Sequence, residues 1–121
     1  MKFASKAILI KNNDYLLQLR DKKKNILYPN QWCFFGGRIK KNESPENCII
    51  REMKEELSIK IKILMKIYEC MNYKTNTYLN YFIIDTSSKI KKKNLAEGQN
   101  FGWLKKKKIL NLKRTPDIRI F

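Results

Sequence analysis

Lys2 to Ile10 ends in the apolar run Ala7-Ile8-Leu9-Ile10, and Tyr15, Leu17 and Leu19 then alternate with Leu16, Gln18 and Arg20. Lys11-Asn12-Asn13-Asp14 between them is turn chemistry, so the pattern predicts a β-hairpin over Lys2 to Arg20. Asp21 to Gln31, with three consecutive lysines and Pro29, reads as a polar loop. Trp32-Cys33-Phe34-Phe35 reads as a short strand running into Gly36-Gly37. Two glycines there permit a close backbone approach and leave a carbonyl free to bind a cation.

A different period follows. Ser44-Pro45 is a helix-start signal, with Ser as N-cap and Pro in the first helical position. Ile49, Ile50, Met53 and Leu57 recur at three- and four-residue spacing and are expected to face the core, with Glu52, Glu55 and Glu56 on the other side. Alternation returns in Ile61 to Met71 and in the Thr-, Tyr-, Phe- and Ile-rich stretch Thr75 to Asp85, separated by Asn72-Tyr73-Lys74. These predict a second antiparallel pair, whose aromatic residues fit a half-buried strand face better than a base-stacking platform. Thr86 to Asn94 is a basic loop, Phe101 to Leu104 a brief strand, Lys105 to Asn111 a short basic helix, and Thr115-Pro116 the opening of another. No repeat or linker divides the 121 residues, which suffice for one core and are too few for two.

Charge sharpens this picture. The chain carries a net +16, yet Glu43 to Glu56 holds five acids against Arg51 and Lys54, an island of −3 in a remainder of +19. Such a field steers polyanions, nucleotides or RNA, toward the molecule. The lysines are spread over nearly every segment instead of forming one stripe, which argues against a dedicated RNA surface. There is no His, and Cys33, Cys48 and Cys70 are odd in number and show no C-x-x-C spacing. Zinc and a disulfide framework are therefore not expected, and a reducing cytoplasm is. Acid–base chemistry falls to carboxylates, Lys, Tyr or Cys. No run approaches a transmembrane length, and the opening residues have no small-residue cleavage site, so neither membrane insertion nor a secretory leader is expected. Oligomeric state, monomer or homodimer, is left open.

The acidic island is the candidate site. At about 100° per residue, Glu52, Glu55 and Glu56 share roughly a third of the helix circumference, and like charges so placed repel. A hard divalent cation relieves that repulsion, Mg²⁺ being suited to a few carboxylates plus waters and phosphates. Taken alone, the three also fit a solvated acidic face partly neutralised by Arg51.

The spacing of the whole stretch goes further. From Gly37 there are five residues to Glu43, seven more to Arg51-Glu52, then Met53, a spacer, Glu55-Glu56, a spacer, Ser58 and Ile59. This closely resembles the Nudix box, G-x5-E-x7-R-E-U-x-E-E-x-G-U with U apolar, departing from it only at Ser58, where the family has Gly. The resemblance implies a Nudix-type α/β/α sandwich with a mixed central β-sheet. It also implies a Mg²⁺-dependent pyrophosphohydrolase, with Mn²⁺ as a substitute, that cleaves a diphosphate bond in a nucleoside diphosphate linked to another group. By position in the box, Glu52 would activate water, while Glu55 and Glu56, with Glu52 and the Gly36 carbonyl, would hold the metal. Arg51 and Glu43 would brace the loop against the helix. Glu97-Gly98-Gln99 followed by Trp103-Leu104 resembles the E-G-Q loop of the branch acting on oxidised guanine nucleotides, which makes Glu97 a candidate outlying ligand. Asp117 stands near where that branch places a base-reading Asn, and an Asp cannot donate as an amide does. Arg20, Arg38 and Asp117 are the candidate substrate contacts. The alternative is a catalytically silent Nudix-like module that binds nucleotide or RNA. Ser58 is expected to cost the helix exit about 1 kcal/mol, because Gly enters the left-handed region without strain.

Overall fold

The computed structural model describes the 121 residues except 24, 92–94, 96–97, 99, 117 and 119–121. Strand β1 (Lys2–Lys11) turns through Asn12 and Asn13, both at positive φ, into β2 (Asp14–Leu19). Two left-handed residues in a two-residue turn match the right-handed twist of the flanking strands, and Asn tolerates that region. The hairpin is present as expected, but it is short. Only Ile10 and Lys11 face β2, opposite Tyr15 and Asp14. The body of β1 leaves its neighbour and serves a second set of partners.

Those partners come from distant sequence. The expected strand at Trp32 divides into β3 (Trp32–Cys33), paired with β2, and β4 (Phe35–Arg38), antiparallel to β1 with Ala4 opposite Arg38 and Ala7 opposite Phe35. On its other edge β1 runs parallel to β6 (Thr77–Asp85), from Lys2 opposite Thr77 to Leu9 opposite Ile84. Strand β5 (Lys62–Asn72) lies antiparallel to β6 at the outside, and β7 (Asn100–Lys105) lies antiparallel to β2. The described strands make one mixed seven-stranded sheet.

Alternation along the strands explains the two-sided core. Ala7, Leu9, Leu16, Phe35 and Phe82 point to one face and meet Ile49, Met53 and Leu57 of the helix α1 (Pro45–Leu57). Their neighbours Ile8, Leu17, Phe34 and Tyr81 point to the other, where they meet Ile109 of the short helix α2 (Lys106–Ile109) and Ile118. Successive residues buried on opposite faces read as continuous apolar runs, which is why Ala7-Ile8-Leu9 shows no alternation. The α/β class, the mixed sheet and a helix on each face agree with the sequence. Strand β5 departs from its expected alternation: register shifts between Ile63 and Met65 and between Lys66 and Tyr68 break the ladder and leave Leu64, Met65, Ile67 and Tyr68 exposed. Bulges on an edge strand also blunt further pairing.

Helix α1 begins where the sequence says it does, with the Ser44 hydroxyl accepting from the Asn47 amide at 3.0 Å and Pro45 in the first turn. One core assignment is corrected. Ile50 is 42% exposed, and Cys48 is buried in its stead, because β1 and β4 lie beside the turn that carries Cys48. At the far end Ser58 caps the helix at φ 57°, ψ 37°, its amide donating to the Lys54 carbonyl. A non-glycine residue thus holds the left-handed exit. Ser58→Gly is expected to raise stability by about 1 kcal/mol, read as a higher urea midpoint at unchanged slope.

Candidate active site

Helix α1 presents its three glutamates at graded depth. Glu56 is 8% exposed with its Oε2 sealed from solvent, the Glu52 side chain is 13% exposed, and that of Glu55 is 53% exposed. The expected acidic face is therefore one that enters the protein and does not simply line its surface. An enclosed carboxylate is costly unless positive charge or donors compensate it.

Arg51 supplies part of that compensation. Its NH1 donates to Glu52 Oε1 at 2.9 Å and to Glu55 Oε2 at 3.1 Å, answering the repulsion that the helical spacing creates. On its other side Nε donates to Glu43 Oε2 at 2.7 Å and NH2 to Glu43 Oε1 at 3.0 Å, a two-pronged pair of the strong kind. NH2 also donates to the Arg38 carbonyl at 3.0 Å, so one guanidinium ties the loop before the helix and the end of β4 to the acidic face. The Glu43 carboxylate, and after it Glu52, hold the Arg51 proton more tightly than usual.

The same pairing acts on Glu43. Hydrogen bonds from Arg51 and from the Lys40 amide pull its pKa from 4.5 down to about 2. Between those values the unfolded chain binds a proton that the native protein does not, so stability falls as pH drops from 4.5 toward 2 and is fully present above that window. Glu43→Gln is expected to flatten this part of the acid-unfolding profile, measured as urea midpoint against pH.

Two glycines of β4 complete the geometry. A Cβ on Gly36 would lie 2.0 Å from the Ser5 carbonyl oxygen of β1, so β1 and β4 approach only because none is there. A Cβ on Gly37 would lie 2.3 Å from the Glu52 carboxylate, which therefore rests directly over the Gly37 backbone. The Cys48 thiol donates to the Gly37 carbonyl at 3.5 Å, and burial raises its pKa. Of the expected metal contacts, Gly36 is paired opposite Lys6 in the ladder, one residue from the Glu52 contact.

The residues fit a hard cation by type. The Glu52 carboxylate occupies a cradle that any Cβ on Gly37 would fill, and the glutamates of the helix offer oxygen alone, the donor class of Mg²⁺ and Mn²⁺. Among the described residues no three such side chains are already gathered as a cage.

Beside this face lies a cavity of about 350 Å³. Gly37 and Arg38 line it, so the cavity reaches the strand against which Glu52 rests. Arg20 and Arg38, the two arginines singled out from the sequence, are brought together here with Lys2 and Lys6, and no acidic residue is among the described lining. Apolar surface comes from Phe3, Leu27, Leu79 and Pro116. Tyr28, Asn72, Thr77 and Thr115 also line it and were not anticipated as contacts. They come from a loop, a strand end, a strand start and the chain's last turn, so no local spacing connects them. Only the Thr115-Pro116 pair carried a signal, as a helix opening. Glu97 and Asp117 lie outside the described residues.

Comparison with known proteins places the whole arrangement. The family model described as NUDIX domain matches residues 1–121. An 8-oxo-dGTP diphosphatase of Buchnera aphidicola subsp. Schizaphis graminum (strain Sg) is 33% identical over 79 residues, which are 65% of this chain and 58% of that protein. The matched stretch thus spans less than two thirds of that relative. Among solved structures, the ORF135 protein of E. coli superposes with a TM-score of 0.81 at 21% identity, covering 97% of this chain and 82% of that one. The MutT protein of Methanosarcina mazei Go1 does so with a TM-score of 0.78 at 19% identity, over 98% and 88% of the two chains. At these identities the superpositions speak to the fold.

Proposed function

The chain belongs to the NUDIX family, and from that premise we propose that it is a Mg²⁺-dependent pyrophosphohydrolase acting on a nucleoside diphosphate linked to another group. The observation that carries the reading is the meeting of two features at Gly37 and Arg38. The Glu52 carboxylate rests on Gly37, Arg51 grips the Arg38 carbonyl, and both residues wall the cationic cavity. A substrate whose base lies in the cavity has its phosphates led toward the acidic helix face.

Each residue then has a task. Glu52 takes the proton of the attacking water, the work a His would otherwise do, and its position is fixed by Gly37 on one side and Arg51 NH1 on the other. Glu55 and Glu56, with Glu52 and the Gly36 carbonyl, would hold the cation, and Glu97 is the proposed outlying ligand. When bound, the cation neutralises phosphate oxygens and lowers the pKa of water. Glu43 does not touch substrate. It holds Arg51, and through Arg51 the relation of helix to strand. Arg20 and Arg38 place the anionic substrate, with Lys2 and Lys6 adding to the field, and Asp117 is proposed as a further base contact. Cys33, Cys48 and Cys70 are joined in no disulfide among the described residues, which suits a reducing compartment such as the cytoplasm, and among the described residues no helix is long and apolar enough to cross a membrane.

The test is release of nucleoside monophosphate or phosphate, with Mg²⁺, from a panel of normal and oxidised nucleoside triphosphates, nucleotide sugars, dinucleoside polyphosphates and 5′-triphosphate RNA. Turnover of one class supports the reading. No turnover of any class, with nucleotide retained at raised salt, would replace it with a binding module.

A further inference from the structure

Lysines that are dispersed along the sequence come together where five strands end side by side. At the end of the sheet away from the cavity, β7 stops at Lys105, β2 begins at Asp14, β1 stops at Lys11, β6 stops at Asp85 and β5 begins at Lys62, each strand paired with the next. Four steps of about 4.8 Å make this edge about 19 Å wide. The exposed Lys106, Lys107 and Lys108 of α2 extend it beyond β7, and the exposed Lys60 extends it beside β5. Two acids stand among these seven lysines: Asp14 accepts from Lys105 at 3.1 Å, and Asp85 accepts from the Thr86 amide at 2.8 Å. The edge is well separated from the acidic helix face. Gly37 lies opposite Ser5, and Lys11 is six residues further along β1, about 20 Å of strand.

The edge also has relief. Lys60, Lys62, Asp85, Thr86 and Ser87 line a recess of about 360 Å³, and Lys11 is anchored beside it with its Nζ donating to the Thr86 carbonyl at 3.2 Å. We propose that this edge is a binding surface for the sugar-phosphate backbone of single-stranded RNA, separate from the active site and independent of what is hydrolysed there. Ammonium and hydroxyl groups are what hold phosphate oxygens, and the recess presents both. The Asp85 carboxylate, which would repel a phosphate, accepts from a ribose 2′-hydroxyl, a group that DNA lacks. None of the residues named carries an aromatic ring on which a base could stack, so recognition is of the backbone and not of sequence. An anionic bilayer also answers positive charge, but it is held by apolar side chains as well, and Ile61 alone supplies one among the described lining of the recess.

The experiment measures fluorescence anisotropy of a dye-labelled oligouridylate of about 12 nucleotides with a 5′-hydroxyl end, in metal-free buffer over a range of KCl concentrations. This probe has no diphosphate to cleave, so the result does not depend on the proposed hydrolysis. Wild type is compared with the triple variant Lys60→Gln, Lys62→Gln, Lys107→Gln, with its Lys→Arg counterpart, and with Lys22→Gln, Lys40→Gln, Lys41→Gln. The last set removes the same charge from exposed positions that follow β2 and β4 at the opposite end. Each phosphate contact contributes about −0.7 to the slope of log K against log salt, so the first triple variant is expected to flatten the slope by about 2. The Arg counterpart and the opposite-end variant should stay close to wild type, and oligothymidylate should bind more weakly than the RNA. Equal flattening in both Gln variants would mean diffuse attraction to a protein of net charge +16 and would overturn the proposal. So would absence of RNA binding by wild type at low salt, or equal affinity for oligothymidylate. Lysine-dependent binding to phosphatidylserine vesicles without binding to RNA would overturn it in favour of a membrane surface.

Discussion

Glu52→Gln is expected to lower kcat on the best substrate by about 10³-fold while leaving the protein folded. The amide keeps the carbonyl-type oxygen that Arg51 NH1 reaches at 2.9 Å, and it keeps the volume that rests on Gly37. What it loses is the negative charge and the ability to take a proton. Because the chain has no His, no nearby imidazole can replace it. The measurement is single-turnover and steady-state hydrolysis beside thermal unfolding of the same preparation. Full activity in the variant would remove Glu52 from the proton-transfer role and undercut the reading built on it.

Gly37→Ala and its neighbour Gly36→Ala are expected to fail in opposite ways. At Gly37 the added methyl would lie 2.3 Å from the end of the Glu52 side chain, which must shift, and with it its hold on Arg51, while the backbone stays in place. Restoring ordinary contact moves that carboxylate by about 1 Å, a displacement able to cost on the order of 10²-fold in rate. The fold should survive. At Gly36 the methyl would lie 2.0 Å from the backbone oxygen of Ser5, at φ +156°, so strand must part from strand. A loss of at least about 3 kcal/mol is expected. Denaturant midpoints and kcat measured on both variants separate the two outcomes. If Gly37→Ala were as unstable as Gly36→Ala, the close contact with Glu52 would be structural and not catalytic.

The parts of this molecule legible in the sequence are those whose determinants are neighbours along the chain. Asn12-Asn13 announced its turn, Ser44-Pro45 its helix start, and the fixed spacing from Gly37 to Ile59 its family. Ser58 was legible down to its left-handed exit, since the same register that places Glu56 places the cap. The division of labour between Cys48 and Ile50 was not legible, because both fit the helical period and the choice depends on where β4 lies. The breaks in β5 were equally hidden: Ile61, Ile63, Met65 and Ile67 recur at every second position in sequence, and only pairing with β6 shows the shifted register. The cavity was half legible. Arg20 and Arg38 suggested themselves by charge, whereas Tyr28, Asn72 and Thr115 share a wall only after folding.

The position of β1 has a consequence for how the chain comes to be folded. Its parallel partner lies 75 residues later, Lys2 against Thr77 and Leu9 against Ile84. At a synthesis rate of 5–20 residues per second, that edge of β1 waits roughly 4 to 15 s for its mate, with only the short hairpin and then β4 to occupy its other side. Parallel pairing over so long a loop is also slow once both strands exist. Strand β1 is thus completed well after it is made, and its apolar Ala7-Ile8-Leu9 is a segment a nascent-chain chaperone would meet.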